Sequence, residues 1–461
     1  MIGLYYRAPI FIQNLYISSN GLFYKLVKEG KLFRKLLKKL EESQYLSETE
    51  LENLQNEKLR NLIMHCYENV PYYSHLFRQL GISPTDIKTK EDIEKLPFTT
   101  KEDVRKDPER FVSKNINRSF LKKATTSGTT GTPLRLYRDF NSIVYESATI
   151  WRQYRWAGIN PGDKLVSIRG KLIQEVDNKE PPFWRYDFCL NQMLMSSYHI
   201  HETTAKNYYE AIINFNPDAI EAYPSSIYQL TKQFNMLKLE KLKVKAVFTS
   251  SETLYQYQRD IIEEFFDCKI YDLYGNAERV CALGTCEEGN YHIFSEYGIC
   301  ELVSAKYEGI NYIEIVGTNL NNFAMPLLRY KTGDKAFVYD RNMECKCGRR
   351  LPIIKAVESQ RADEVIITSD GRRLQSVEQM SEGIKHVIEF QLVQEKVDFI
   401  IIRVVATNGF SAEDEEEIVN KAKQRIGHKI DFKIEKVDNI PRTERGKYRY
   451  IINNLINKDP I

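Results

Sequence analysis

"KAVFTSSETLYQYQRDIIEEFFDCKIYDLYG" (Lys245 to Gly275) contains one strand–helix–strand unit. Lys245 to Ser250 and Lys269 to Gly275 read as short strands, and Tyr255 to Phe266 reads as the helix between them. That order predicts two parallel neighbours with a helix on the face of their sheet. The same alternation runs from about residue 120 to 340, which predicts an α/β fold with a parallel-rich sheet flanked by helices. After "ICELV" (Ile299 to Val303) and "YIEIVGTNL" (Tyr312 to Leu320) the strands lie closer together, as in a small antiparallel or barrel-like β-rich subdomain. Beyond residue 360 the pattern changes again. Asp398 to Ala406 reads as a strand. Ser411 opens a helix carrying Ile418, Val419, Ala422 and Ile426 on one face, and Gly427 closes it. This last part predicts a small α+β domain.

A chain of 461 residues exceeds one ordinary core, so two or three domains are expected. With 42% hydrophobic and 28% charged residues the composition excludes disorder. A net charge of +3, from 66 basic and 63 acidic residues, gives no reason to expect nucleic acid as a partner. Eight cysteines without a framework of short loops point to a reducing compartment. There is no apolar run of about eighteen residues and no signal-peptide pattern, so a cytoplasmic protein is expected.

The amino end is unusual. Gly21 to Leu40 holds seven basic residues against one acidic, interleaved with Leu, Phe and Val. It reads either as an ordinary amphipathic helix with a solvated basic face or as a membrane-surface contact at the inner face. Ser47 and Glu50 then form a capping box for a helix that ends before Pro71. Lys95 to Arg105 leads into another short helix.

"TTSGTTGTP" (Thr125 to Pro133) combines glycines, which free backbone N–H groups to point inward, with hydroxyls that can donate to phosphate oxygens. It is not a Walker loop, because no Lys-Ser/Thr pair follows the second glycine. Alone it reads more readily as a polar surface loop than as a phosphate site. Downstream come "YGNAE" (Tyr274 to Glu278), "RYKTGD" (Arg329 to Asp334), "QRADE" (Gln360 to Glu364) and "PRTERGK" (Pro441 to Lys447). In that order the five motifs resemble those of the acyl-adenylate-forming enzymes. "VPYYSHLF", "LPFTTKEDVR", "EAYPSSI", "MPLLRYKTGD" and "CKCGRRLP" look like the phenylacetate–CoA ligase-like branch. They look most like its CapK-like, capsular-polysaccharide-associated subset. The resemblance covers nearly all of the chain from about residue 50.

The resemblance implies four segments. These are a basic leader at 1–45, an ATP- and carboxylate-binding domain at 46–360, a hinge at 361–364, and a mobile carboxy-terminal domain at 365–461 that carries the catalytic lysine. It assigns Thr126, Ser127, Gly128, Thr129, Thr130 and Gly131 to the phosphates of ATP, with Thr126 also catalytic. Glu278 would hold Mg²⁺. Tyr274, with Gly275 and Asn276, would lie along the adenine, and Ser251, Glu252 and Thr253 would form the other wall. Asp334, in a tight turn after Gly333, would accept the ribose hydroxyls, Arg361 would approach ribose and phosphate, and Asp363 would be the hinge. Gln360 and Glu364 depart from the family's Gly and Asp. Lys447 would neutralise charge between the carboxylate and the α-phosphate in one pose of the last domain and leave in the other. Arg445 stands where a serine is usual and adds a second cation.

Cys286, His292, Cys345 and Cys347 form a set suited to a closed, structural zinc site, with Cys281 a substitute for Cys286. Free thiols are the alternative. The carboxylate pocket is expected beside "EAYPSSI" and "MLMSSYHIHE", with His199, Tyr223, Pro224 and Ser225 as lining residues. His199 reads equally as a packed histidine. The expected activity is an AMP-forming ligase acting on a carboxylate or sugar acid. The second nucleophile is CoA, or an amine or sugar hydroxyl. A non-catalytic nucleotide-binding relative is the reading from another class, and the protein is expected to be a monomer or homodimer.

Overall fold

The structure is a computed structural model that describes residues 2–125, 134–307, 310–339, 343–358, 364–369, 373–374, 380, 384, 386–428, 430–443 and 446–455. Six helices open the chain: α1 (Ile2–Arg7), α2 (Ile10–Lys28), α3 (Lys31–Ser43), α4 (Glu48–Asn69), α5 (Pro71–Leu80) and α6 (Lys101–Lys106). The Ser47/Glu50 capping box sets the start of α4, and Pro71 occupies the first turn of α5.

The single amphipathic helix expected over Gly21 to Leu40 is instead two helices, parted at Glu29 and Gly30. The two bury faces of opposite character. Helix α3 buries Phe33, Leu37 and Leu40 and exposes its basic side, whereas α2 buries Gln13, Asn14, Ser18 and Gly21. One straight helix cannot present both faces to the body, and Gly30, a poor helix former in extended conformation, marks the change of direction.

Strands β1 (Lys122–Thr125) and β2 (Arg135–Arg138) pair antiparallel, so residues 126–133 join the two strands of a hairpin. Helix α7 (Phe140–Trp156) follows. Next come β3 (Leu165–Arg169), β4 (Trp184–Asp187), β5 (Gln192–Ser196), α8 (Glu202–Phe215), β6 (Ala219–Ala222), α9 (Pro224–Met236), β7 (Ala246–Ser250), α10 (Gln256–Phe266), β8 (Lys269–Gly275), β9 (Ala282–Thr285) and β10 (Tyr291–Ile293). The unit read at Lys245 to Gly275 is therefore β7–α10–β8, and its two strands pair in parallel.

The remaining strands of the body are β11 (Gly298–Tyr307), β12 (Ile310–Asn319), β13 (Tyr330–Phe337), β14 (Ile353–Ile354) and β15 (Ala356–Glu358). Among the described residues the main sheet has the order β14-β10-β9-β8-β7-β6-β3-β5-β4, and β5, β3, β6, β7 and β8 form its parallel centre. A second sheet, β11-β12-β13-β15, is antiparallel, as the denser strand pattern predicts. The chain ends in β16 (Ile366–Ile367), β17 (Arg373–Leu374), β18 (Val387–Lys396), β19 (Phe399–Ala406), α11 (Ala412–Ile426), β20 (Asp431–Lys436) and β21 (Ile451–Asn453). The sheet β20-β19-β18-β21 has its own core with α11, built on Phe390, Leu392, Ile402, Ile418 and Ala422.

A buried ion pair knits the body. Arg152 of α7, fully buried, donates to Glu296 at 2.8 Å, and Ser43 at the end of α3 donates to the same carboxylate. The guanidinium also lies 4.3 Å from the Phe294 ring. Removing one member strands a buried charge, which typically costs about 3–5 kcal/mol. Glu296→Ala is therefore expected to lower unfolding stability in urea by that order. The double variant Arg152→Met/Glu296→Leu, which strands no charge, is expected to lose less.

Candidate active site

The carboxyl ends of the parallel strands lie along one edge of the sheet, where open α/β folds place their ligands. β3 runs into Gly170, β5 into Ser197 to His199, β6 into Tyr223 and Pro224, β7 into Ser251, and β8 into Asn276 to Glu278. Sheet topology thus gathers four separate motif segments.

Ser251 takes a left-handed conformation, with φ of 74°. Arg279 (φ 60°) and Arg329 (φ 48°) do the same beside "YGNAE" and at the head of "RYKTGD". Backbone strain at non-glycine residues tends to collect at functional sites. The hydroxyl of Tyr274 donates to Asp334 at 2.7 Å, and both residues are buried. Burial, followed by the Asp334 charge, pushes the Tyr274 phenol well above its usual range. Asp334 does not sit in a tight turn, as the sequence reading has it. It lies within β13, at an irregularity opposite Glu314 to Val316 where Gly333 takes φ of 77°. The two extra residues of β13 at this irregularity re-aim the strand, which a local pattern cannot reveal. Glu278 accepts from the Tyr330 hydroxyl at 2.8 Å. Arg138 of β2 donates to the Ala277 carbonyl at 2.5 Å, which ties the hairpin carrying residues 126–133 to "YGNAE".

The carboxy-terminal loop enters this edge. The Lys447 ammonium donates to the Ser251 carbonyl at 2.9 Å. Glu252 accepts the Ser225 amide at 3.1 Å on one oxygen and the Tyr448 amide at 3.0 Å on the other, so one carboxylate joins α9 to the lysine loop. Gly446 (φ 71°) lies so near β3 that a Cβ there would come within 2.3 Å of Gly170 Cα. Arg442 donates to Glu389 at 2.7 Å and to Gln229 of α9 at 2.7 Å, and the side chains of Arg442 and Glu389 are buried. Gln258 donates to the Tyr450 hydroxyl at 3.1 Å.

The pocket candidates are placed unequally. Pro224 and Ser225 begin α9, and Tyr223 is its N-cap. Ser225, Ser226 and Ser197 each bury a hydroxyl for which the described residues offer no hydrogen-bond partner. His199 is tied within the protein: Nδ1 to Ser196 Oγ at 2.7 Å, Nε2 to the Glu175 carbonyl at 3.2 Å, and the ring stacked on Phe183. Burial lowers its pKa. This is the packing reading of His199. Thr126 to Gly131, Arg361, Asp363 and Arg445 lie outside the described residues. Sequence reasoning missed Gly170, Gln229 and Glu389, which carry no motif, and gave Arg442 no role although "PRTERGK" contains it.

The predicted cysteine set comes together from segments on either side of β11 to β13. Ligand atoms of Cys286, His292, Cys345 and Cys347 all lie within 4.8 Å of one another. Cys286 and Cys345 sulfurs are 3.6 Å apart, and Cys347 Sγ is 3.3 Å from His292 Nε2. His292 Nδ1 faces the Leu351 carbonyl at 3.2 Å. Cys281 is not part of the cluster: it is buried against Gly317, where an added Cβ would lie 2.4 Å from its sulfur.

The model of the CapK C-terminal domain family matches residues 366–454. Protein CapK of Staphylococcus aureus is 29% identical over 98% of this chain and 99% of its own length. The chain is thus similar to CapK over nearly the whole length of both. A phenylacetate-coenzyme A ligase of Thermus thermophilus is 25% identical, over 89% of this chain and 98% of its own. The solved structure of 2-hydroxyisobutyryl-CoA ligase in the postadenylation state matches with a TM-score of 0.65 at 18% identity, covering 89% of this chain and 91% of that one. The same ligase in the thioesterification state, with equal coverage and 19% identity, matches at 0.53. The chain thus shares the fold of this CoA ligase.

Gly446→Ala is expected to separate the lysine loop from β3. Hydrogen exchange at the Tyr448 amide, bonded here to Glu252, should quicken by at least about tenfold. The amides of β7 and β8 should be unchanged.

Proposed function

We propose that the chain is an AMP-forming ligase. It joins a carboxylate to the α-phosphate of ATP, releases pyrophosphate, and passes the acyl group to a second nucleophile. The observation that carries this reading is the bond from Lys447 to the Ser251 carbonyl, at the edge where four motif segments converge. The likeness to CapK and to phenylacetate–coenzyme A ligases supports the same chemistry.

Adenylation brings two anions together, so the site must supply positive charge and aligned donors at the α-phosphate. Lys447 supplies a cation there, and Thr126 to Gly131 the phosphate donors. Glu278, a half-buried carboxylate oriented by Tyr330, suits Mg²⁺, which screens the phosphates. Asp334 receives the ribose. The Tyr274 hydroxyl positions the Asp334 carboxylate, while its ring, with Gly275 and Asn276, lies along the adenine. Glu252 serves the interface between the two parts of the site rather than the adenine. Arg361 approaches ribose and phosphate, and Asp363 is the hinge. Ser197 and Ser225 bury hydroxyls that have no hydrogen-bond partner among the described residues, and we place a polar acid beside them at the head of α9.

CoA is the first acceptor reading. The CapK C-terminal match covers the part that carries Lys447, and it favours a second reading in which an amine or sugar hydroxyl of a capsule precursor is acylated. A sugar uronate then becomes a candidate acid. An ATP-consuming enzyme of this kind belongs in the cytoplasm.

ATP–pyrophosphate exchange across aryl acids, hydroxy acids, amino acids and sugar uronates tests the reading. At least one class is expected to support exchange; none doing so with bound ATP would sink it. Lys447→Ala is expected to lower exchange by at least roughly a hundredfold while sparing acyl transfer from preformed adenylate. Equal loss of both steps would refute the two-pose assignment.

We also assign a structural zinc ion to Cys286, His292, Cys345 and Cys347. A tetrahedral zinc with bonds of about 2.3 Å to sulfur and about 2.0 Å to nitrogen spaces its ligand atoms by about 3.5–3.8 Å, close to the 3.6 Å between the Cys286 and Cys345 sulfurs and the 3.3 Å from Cys347 to His292. Four protein ligands leave no open position, so the ion takes no part in the reaction. Purified protein is expected to contain one zinc per chain, and chelation to lower its unfolding temperature. Metal content far below one would remove the assignment.

A further inference from the structure

Helix α2 is turned inside out. It lies along β4, an edge strand of the main sheet, and an edge strand presents backbone groups that need partners. The helix provides them. The Tyr186 amide donates to Asn14 Oδ1 at 3.0 Å, the Phe188 amide donates to Ser18 Oγ at 2.9 Å, and Arg185 donates to Gln13. Gly21 packs so tightly on Asp187 that a Cβ there would come within 2.1 Å of the carboxylate. With polar and small residues turned inward, the apolar ones face out.

Phe11 (64% exposed), Leu15 (45%), Leu22 (47%) and Leu26 (69%) repeat at helical spacing along one stripe, flanked by Ile12 and Phe23 (68%). An apolar stripe of this length on a helix packed by its polar face calls for an occupant.

The charge pattern says which. The first forty residues hold eight basic residues and one acidic, whereas the other 421 hold 58 basic and 62 acidic. Lys25 and Lys28 close α2, and Lys31, Arg34, Lys35, Lys38 and Lys39 are exposed on α3 directly after it. A second copy docked by a two-fold axis would bring these cationic helices together, which is unfavourable. An anionic lipid surface satisfies both features, since apolar insertion and basic headgroup contacts reinforce each other. No helix among the described residues is long and apolar enough to cross a membrane.

We propose that α2 is an interfacial helix whose outward apolar face inserts into an anionic lipid surface, with the basic side chains at its end and on α3 contacting the headgroups. The reading of the active site does not depend on it.

The full chain is sedimented with vesicles of phosphatidylcholine, alone or mixed with phosphatidylglycerol. It is expected to pellet with the mixed vesicles only and to be released by salt. Phe23→Gln/Leu26→Gln, helix-compatible and exposed, should weaken pelleting at least about tenfold with the unfolding temperature retained. Lys35→Glu/Lys39→Glu should abolish the preference for anionic vesicles. The proposal is overturned if the wild type ignores mixed vesicles or if Phe23→Gln/Leu26→Gln pellets like wild type. It is also overturned if the wild type forms a dimer that this variant dissolves while neither binds vesicles.

Discussion

The position of the lysine loop depends on the Glu252 carboxylate. One oxygen takes the Ser225 amide at the head of α9, and the other takes the Tyr448 amide beside Lys447. A carboxylate shared between two backbone donors fixes a distance as well as an attraction, because charge-assisted hydrogen bonds weaken quickly with poor geometry. The Gly446 and Gly170 backbones then close to a separation that no side chain permits. Arg442 adds a buried guanidinium shared between Glu389 on its own side and Gln229 on the other. Together these contacts hold the loop where the Lys447 ammonium donates to the Ser251 carbonyl.

That carbonyl is itself held in an unusual direction by a left-handed serine. Such residues cost about 1–3 kcal/mol each and persist where their surroundings over-determine them. The surroundings are visible at the other two. Arg279 is bound to Glu146 and to the Ser142 carbonyl. Arg329 makes paired bonds to Glu301, donates to the Leu96 carbonyl at 2.8 Å, and stacks its guanidinium 4.2 Å from the Phe98 ring. At Arg279 and Arg329 the side chains themselves anchor the strained backbone to neighbouring elements.

What the sequence makes legible is local. The strand–helix–strand unit of β7, α10 and β8 shows itself through run length and spacing, and the cap of α4 through Ser47 and Glu50. The cysteine cluster is legible across a long separation because few residue types can make a tetrahedral metal site, so Cys and His stand out as a set. What escapes depends on partners distant in the chain. The Glu252 and Tyr448 bond spans 196 positions, and nothing near Glu252 announces it. The bulge at Asp334 arises from pairing with β12, and the break between α2 and α3 from two different packing surfaces, β4 and α7. His199 has the residue type of a catalytic group, yet Ser196, Glu175 and Phe183 occupy it.

The central claim is that Lys447 stands where the nucleotide's α-phosphate arrives. A crystal structure with Mg²⁺ and a non-hydrolysable α,β-methylene ATP analogue tests it most directly. The account predicts the nucleotide at the carboxyl edge of β7 and β8, its ribose at Asp334, and the Lys447 ammonium within about 3 Å of an α-phosphate oxygen. A nucleotide bound elsewhere, or phosphates at this edge with Lys447 turned away while Glu252 still holds Tyr448, would contradict it.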